Sequence, residues 1–301
     1  MKNRIVGDLI TTLNVSNQLG EGVQWNDKSQ TIWWTDIESN LIYCYSVVSN
    51  KFVEFHMPDR VGCFSFTDND EQLIVGFAKG IALFNIKNGQ LDWLAKPEDN
   101  IKGNRFNDGR TDRQGRFWSG TMVEYQVDTH QQASLYFIND KQECQKVFEQ
   151  IQISNSLCWS PDSLTMYHAD SPSREIYQYS FDPISARVSN KKLFATSEKG
   201  SFPDGSCVDS QGYLWNAQWG GGRVVRYHPN GEINLVLHLP ISQPTCVTIG
   251  GSALDWLIIT SAKQDLDPEQ LKKEPLAGSL FIYQLYGVKG LPESRYSSIV
   301  L

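Results

Sequence analysis

The chain has 301 residues, of which 40% are hydrophobic and 20% charged, with a formal net charge of −7 and a pI near 5.3. That composition describes an ordinary soluble globular protein, long enough to bury a substantial core. The acidic balance, without a basic run of five residues, argues against nucleic acid or an anionic membrane surface as the main partner.

An aromatic content of 12%, with nine Trp, suits an all-β protein. The N-terminus, Met1 to Asp8, carries positive charge but lacks the apolar core of a secretory signal. No uninterrupted apolar stretch approaches the roughly 18 residues of a membrane span. The six cysteines (Cys44, Cys63, Cys144, Cys158, Cys207 and Cys246) are scattered, mostly within apolar strand-like runs, and show no C-x-x-C spacing. Reduced thiols and a cytoplasmic location are the expectation.

Along the chain a weak unit recurs: a turn rich in Asp, Asn and Gly, a short apolar strand, a second turn and another strand. Asn26–Gln30 leads into Thr31–Asp36 and Leu41–Tyr45, and Asp68–Glu71 leads into Gln72–Gly76 and Gly80–Phe84. Asp112–Gly115 precedes Arg116–Gly120, and Ser160–Ser163 precedes Leu164–Asp170. Asp209–Gly212 precedes Tyr213–Ala217, and Gly250–Ala253 precedes Asp255–Thr260. Aligned on their central apolar residues, Trp33, Ile74, Phe117, Met166, Leu214 and Leu257, the units stand 41, 43, 49, 48 and 43 residues apart. A period of about 40 to 50 residues with several short strands per unit is that of a β-propeller blade. The expectation is an all-β, six-bladed β-propeller forming a single domain over residues 1–301. Gly220-Gly221-Gly222 lacks the Gly-Lys-Ser/Thr ending of a phosphate loop and reads as a hairpin turn. Asp267–Lys273, with Pro near its start and acids before bases, is the predicted helix.

Innermost propeller strands line a central channel, so oxygen-bearing side chains distant in sequence can meet there. Four segments rich in such groups precede apolar runs: Leu19–Gly22, Asn104–Gly109, Ile153–Ser156 and Phe202–Ser206. At about one per blade, Glu21, Asn107, Asn155 and Asp204 make a candidate all-oxygen cage suited to a hard cation such as calcium, magnesium or manganese. Each residue taken singly is equally a turn cap. Arg105 adds a planar guanidinium fork beside the cage, and Asn107-Asp108-Gly109 reads as a β-turn that aims Arg105 and Asn107 inward.

Leu19-Gly20-Glu21-Gly22, Asn104-Arg105-Phe106-Asn107-Asp108-Gly109, Gly120-Thr121-Met122, Ile153-Ser154-Asn155, Pro203-Asp204-Gly205 and Gly221-Gly222-Arg223-Val224 resemble, in that order, the motifs of the SMP-30/gluconolactonase/regucalcin family. The resemblance runs from about residue 19 to Gly290. It implies a six-bladed propeller with one divalent ion in its channel, calcium first and zinc, magnesium or manganese as alternatives. It also implies hydrolysis of a small-molecule sugar lactone. By the same resemblance Glu21, Asn155 and Asp204 are metal ligands, with Asp204 also the catalytic base, and Arg105 and Asn107 bind substrate. Members carry a further substrate-binding acid after Gly-Thr-Met; here Tyr125 stands there with Glu124 before it, and both are candidate substrate contacts. Where members often have Gly after Ile-Ser-Asn, this chain has Ser156.

No Gly-x-Ser-x-Gly elbow and no His-Glu-x-x-His motif offers another chemistry. His168 falls on a strand run, where a channel-facing role and a packed role are both open, as stacking and packing are for Trp219. A non-catalytic calcium-binding or scaffold propeller and a hydrolase of another ester or phosphotriester are the alternative functions. A polar, arginine-bearing pocket favours sugar lactones over lipophilic esters, and the sequence points to the polar kind. The expected state is a monomer or weak homo-oligomer.

Overall fold

The computed structural model describes residues 5–297. The charged positions Lys2 and Arg4 of the N-terminus lie outside the described residues. β1 (Val6–Leu13) is followed by a first sheet of β2 (Gly20–Asn26), β3 (Thr31–Asp36), β4 (Leu41–Ser46) and β5 (Lys51–His56). The second holds β6 (Val61–Phe66), β7 (Gln72–Phe77), β8 (Gly80–Asn85) and β9 (Leu91–Ala95). The third holds β10 (Asn104–Thr111), β11 (Phe117–Val123), β12 (Ala133–Ile138) and β13 (Cys144–Ile151). In the fourth are β14 (Ser154–Trp159), β15 (Thr165–Asp170), β16 (Glu175–Phe181) and β17 (Val188–Thr196). In the fifth are β18 (Phe202–Val208), β19 (Leu214–Trp219), β20 (Arg223–Tyr227) and β21 (Ile233–His238). The sixth joins β22 (Pro244–Gly250), β23 (Trp256–Ser261) and β24 (Leu280–Leu285) to β1. Between β23 and β24 lies the predicted helix, α1 (Pro268–Lys273), capped by Asp267.

The first strands β2, β6, β10, β14, β18 and β22 pack against one another in a closed ring, which makes the whole a six-bladed β-propeller. All six aligned apolar residues, Trp33 to Leu257, sit on the second strand of their blade. The periodicity therefore reported blade structure faithfully. It did not report that β1 pairs with β24 and completes the last blade. This splice closes the ring with backbone hydrogen bonds between the two ends of the chain.

Large side chains fill the wedges between blades. Trp33 meets Phe66 edge-on between the first two, Trp118 meets Trp159 and Phe181 between the third and fourth, and Trp25 meets Trp256 between the first and last. His168 is one of these packed residues. It lies on the second strand of its blade, buried, edge-on to Phe148 and hydrogen-bonded to Ser154 Oγ at 2.9 Å. Burial pulls its pKa down to about 3, so it stays neutral.

The recurring Asp of the turns has a structural task. Asp209 is fully buried and accepts from the Gln211 and Tyr213 amides, the Trp215 indole at 3.0 Å and two Arg226 nitrogens at 2.7 and 2.9 Å. Asp112 repeats the arrangement in the third blade with Trp118 and Arg116. One carboxylate thus holds the turn and pins the aromatic of the next strand. At the far end of the channel the segment 289–297 ties several blades together, Tyr296 to Phe66 and Ser297 to Gly115 among them. All six cysteines are free thiols. Among the described residues no helix is long and apolar enough to cross a membrane.

Removing Asp209 leaves Arg226 buried without its partner, a change that costs about 3–5 kcal/mol in comparable sites. Asp209→Ala is expected to lower the denaturant midpoint accordingly without altering the unfolding slope. A loss below about 1 kcal/mol would show that the turn does not depend on this carboxylate.

Candidate active site

Every innermost strand pairs irregularly with its neighbour at one level of the channel. The breaks fall between Glu21 and Gln24, Val61 and Cys63, Phe106 and Gly109, Asn155 and Cys158, Pro203 and Ser206, and Pro244 and Val247. A bulge inserts a residue without a partner and re-aims the side chains beside it. Here it lies beside Glu21, Asn107, Asn155 and Asp204. The stretch expected to be an Asn-Asp-Gly turn is accordingly a bulged strand, since Asn104–Thr111 is β10 throughout. Gly22 and Ser156 take left-handed backbone at their bulges, with φ of 59° and 60°. Serine is strained there where glycine is not. Its hydroxyl donates to the Asp204 carbonyl at 2.6 Å and accepts from Asn216 and Ser206, each at 3.1 Å.

Glu21, Arg105, Asn107, Asn155 and Asp204 line a single cavity of about 450 Å³ at one end of the channel, a volume suited to a small ligand. A directed chain of hydrogen bonds sets their orientations. Arg105 donates to Asn107 Oδ1 at 2.8 Å, and Asn107 Nδ2 donates to Asn155 Oδ1 and to the Ser154 carbonyl, both at 3.1 Å. Asn155 Nδ2 then donates to Ser171 Oγ at 2.8 Å, which donates to the Pro203 carbonyl at 2.7 Å, next to Asp204. The Asn107 carbonyl oxygen accepts from Arg105 and keeps one lone pair. The Asn155 carbonyl oxygen keeps a second lone pair.

The Glu21 and Asp204 carboxyls lie close enough to interact, Asp204 buried and Glu21 partly so. Burial, reinforced by the nearby Asp108 charge, pushes Glu21 up to about 8. Asp204 is driven well above the ordinary carboxylate range by burial and by Glu21. Such a pair either keeps a proton or takes up a cation. Two carboxylates and an amide oxygen are hard donors, so the chemistry of the set fits a divalent ion of the calcium or magnesium kind. Among the described residues no group of three His, Cys, Asp or Glu side chains is placed for a metal, so a cage here draws on amide oxygen.

Glu124 and Tyr125 are not brought into that cavity. They line a separate one of about 350 Å³ between the second and third blades, with Arg105 in the wall between the two. Tyr125 is exposed. Both Glu124 oxygens are engaged by Arg60, at 2.5 and 2.8 Å, and Arg105 Nε donates to the same carboxylate at 2.9 Å. The Arg60 hydrogen bonds hold the Glu124 carboxyl below its usual range. Glu124 is placed to aim Arg105 rather than to meet a molecule in the channel. Arg60 and Ser171 are site-supporting residues that the sequence reading did not single out. Arg60 stands just before an innermost strand, as the oxygen-rich segments do, and that position was the available signal. The walls of the main cavity also differ from expectation: Leu19, Met122, Ile153, Pro172, Phe202 and Trp219 make them largely apolar.

A profile of the SMP-30/gluconolactonase/LRE-like region matches residues 19–263. The chain belongs to that family. Its relatives include the L-arabinolactonase of Azospirillum brasilense, 34% identical over 92% of both chains, and the 6-deoxy-6-sulfogluconolactonase of Pseudomonas putida, 33% identical over 93% of this chain and 95% of that one. Among solved structures, the calcium-binding protein regucalcin of Agrobacterium tumefaciens superposes with a TM-score of 0.87 at 29% identity, covering 97% of each chain. The family thus includes sugar lactonases of full matching length, and the six-bladed architecture is shared with a regucalcin.

The raised carboxyl pKa values set a sign for stability. A carboxyl that titrates higher folded than unfolded binds more protons in the native state between those two values, and stability falls as pH rises through that window. For Glu21 the window runs from its ordinary 4.5 to about 8. Metal-stripped protein is expected to lose stability from about pH 5 to 8, with Glu21 alone contributing at most about 1.4 kcal/mol per unit. Calcium is expected to flatten that slope and raise Tm, as thermal melts across pH will read. A flat profile in the stripped protein would contradict the arrangement.

Proposed function

We propose that this protein is a metal-dependent lactonase that opens the ring of a sugar lactone to the corresponding acid. The observation that carries the reading is the convergence of Glu21, Asn155 and Asp204, from three blades, on a cavity whose wall also presents Arg105 and Asn107. Glu21, Asn155 and Asp204 would hold one divalent ion, calcium first by its hard oxygen donors. When bound, the ion supplies a Lewis acid that polarises the lactone carbonyl and makes water acidic enough to attack at neutral pH.

The chain's own side chains do the remaining work. Arg105, buried and aimed by Glu124, donates to substrate oxygens and orients the carbonyl. Asn107, held between Arg105 and Asn155, keeps Asn155 turned with its carbonyl oxygen toward the cage. Asp204 accepts the proton of the attacking water as its oxygen bonds to the carbonyl carbon. When the ring C–O bond breaks, that proton passes to the departing alkoxide, so the products are a free hydroxyl and a carboxyl group. The relatives named lactonases support this reaction over a purely structural propeller, and the calcium-binding regucalcin supports the choice of ion. An arginine beside the cage has no task in a scaffold that only stores calcium.

A pH-indicator assay over a panel of aldonolactones, on stripped protein and after adding back single divalent ions, tests this directly. Acid release is expected only with an ion present, and its absence with every lactone and ion would overturn the reading. Asp204→Asn is expected to reduce kcat by about 100-fold or more; unchanged turnover would remove Asp204 as the base.

A further inference from the structure

The floor and the walls of the main cavity make opposite demands on a ligand. Glu21, Asn107, Asn155, Asp204 and Arg105 crowd the floor with charge and amides, whereas Leu19, Met122, Ile153, Pro172, Phe202 and Trp219 surround the opening. Met122, Ile153 and Phe202 are only partly buried and line the cavity, and Trp219 lines it while also packing on the cluster of Leu19, Ile37 and Ala262. Two polar side chains interrupt this collar, Ser171 and Gln264. The Ser171 hydroxyl already accepts from Asn155 and donates to the Pro203 carbonyl. Among the described residues, that leaves the collar the Gln264 amide, the Trp219 indole N–H and a second lone pair on Ser171 Oγ to serve a ligand hydroxyl, against six apolar side chains. Tyr125 and Glu124 offer nothing here, because they face the neighbouring cavity.

We propose that the lactone taken by this site is poor in hydroxyl groups at its exocyclic end: a deoxy or otherwise alkyl-terminated sugar lactone rather than a fully hydroxylated hexonolactone. The inference rests on the lactonase reading above and adds the substrate class to it. The lactone carbonyl reaches the polar floor, and the substituent on the far ring carbon lies against the collar. A methyl group there buries apolar surface against Met122, Phe202 and Trp219. A hydroxymethyl group against Met122 and Phe202 gives up hydrogen bonds to water, and those side chains offer none in exchange. An apolar pocket rejects an added hydroxyl by a limited factor, about 10- to 100-fold.

The test compares matched lactones that differ only in the terminal hydroxyl and carry methyl or hydroxymethyl directly on the ring carbon, such as L-fucono-1,5-lactone against L-galactono-1,5-lactone, with the corresponding pairs of other configurations in both enantiomeric series. With the calcium-loaded protein, the deoxy member of the hydrolysed pairs is expected to show kcat/KM higher by about 10-fold or more. Met122→Gln keeps the volume of the side chain while adding an amide, and is expected to bring the ratio toward one; Phe202→Gln, checked for an unchanged melting profile, is expected to do the same. Equal or reversed preference in the parent protein overturns the inference and leaves the lactonase reading standing. A preference unmoved by both substitutions also overturns it, because the collar would not be its source. Hydrolysis of none of the lactones overturns both readings together.

Discussion

Two carboxyl groups side by side are the constraint on which the site depends. Glu21 and Asp204 come from the first and fifth blades and line the same cavity, Asp204 buried and Glu21 partly so. In such surroundings two negative charges cannot persist without a proton or a cation between them. Asp108, also raised in pKa by burial, adds to the field instead of relieving it. The arrangement is costly for the fold as long as both carboxyls carry charge. Each of the neighbouring polar groups can be understood as managing that charge.

The propeller supplies the means. Six bulges at one height along the channel change the aim of side chains without changing the blades that carry them. The blades themselves are held elsewhere, by aromatic wedges and by carboxylates such as Asp209 that pin a turn to the next strand's indole. Stability and chemistry therefore occupy different parts of each repeat. The strain of Ser156 at the site is offset locally by hydrogen bonds to the Asp204 carbonyl and its neighbours. The relay from Arg105 through Asn107, Asn155 and Ser171 to the Pro203 carbonyl ties three blades into one oriented set, so that a change at one member disturbs the rest.

Polarity divides the cavity by depth. Its floor holds carboxyls, amides and a guanidinium, and its collar is largely apolar. The Arg60–Glu124–Arg105 cluster lies behind the wall, where it stiffens the one guanidinium that reaches the floor. The family resemblance grouped Glu124 and Tyr125 with Arg105 as substrate contacts. The strand geometry separates them, since β11 ends at Val123 and the chain then turns into the adjacent cavity.

Read alone, the sequence determined the repeat: apolar second strands at intervals of 41 to 49 residues and Asp-rich turns before them. Those features depend on contacts within a blade, which are local, and local contacts leave a periodic trace. It also marked Glu21, Arg105, Asn107, Asn155 and Asp204, because polar and glycine residues at the start of apolar strands break the expected pattern. Tertiary structure alone decided what those residues do to each other. The bulges were invisible because an extra residue in a strand has no compositional mark, and Asn107-Asp108-Gly109 has the composition of a turn. The closing strand β1, the role of Arg60 and the apolar collar were invisible for another reason. Each arises from segments of different blades meeting across the ring, and no spacing along the chain records which blades become neighbours when it closes.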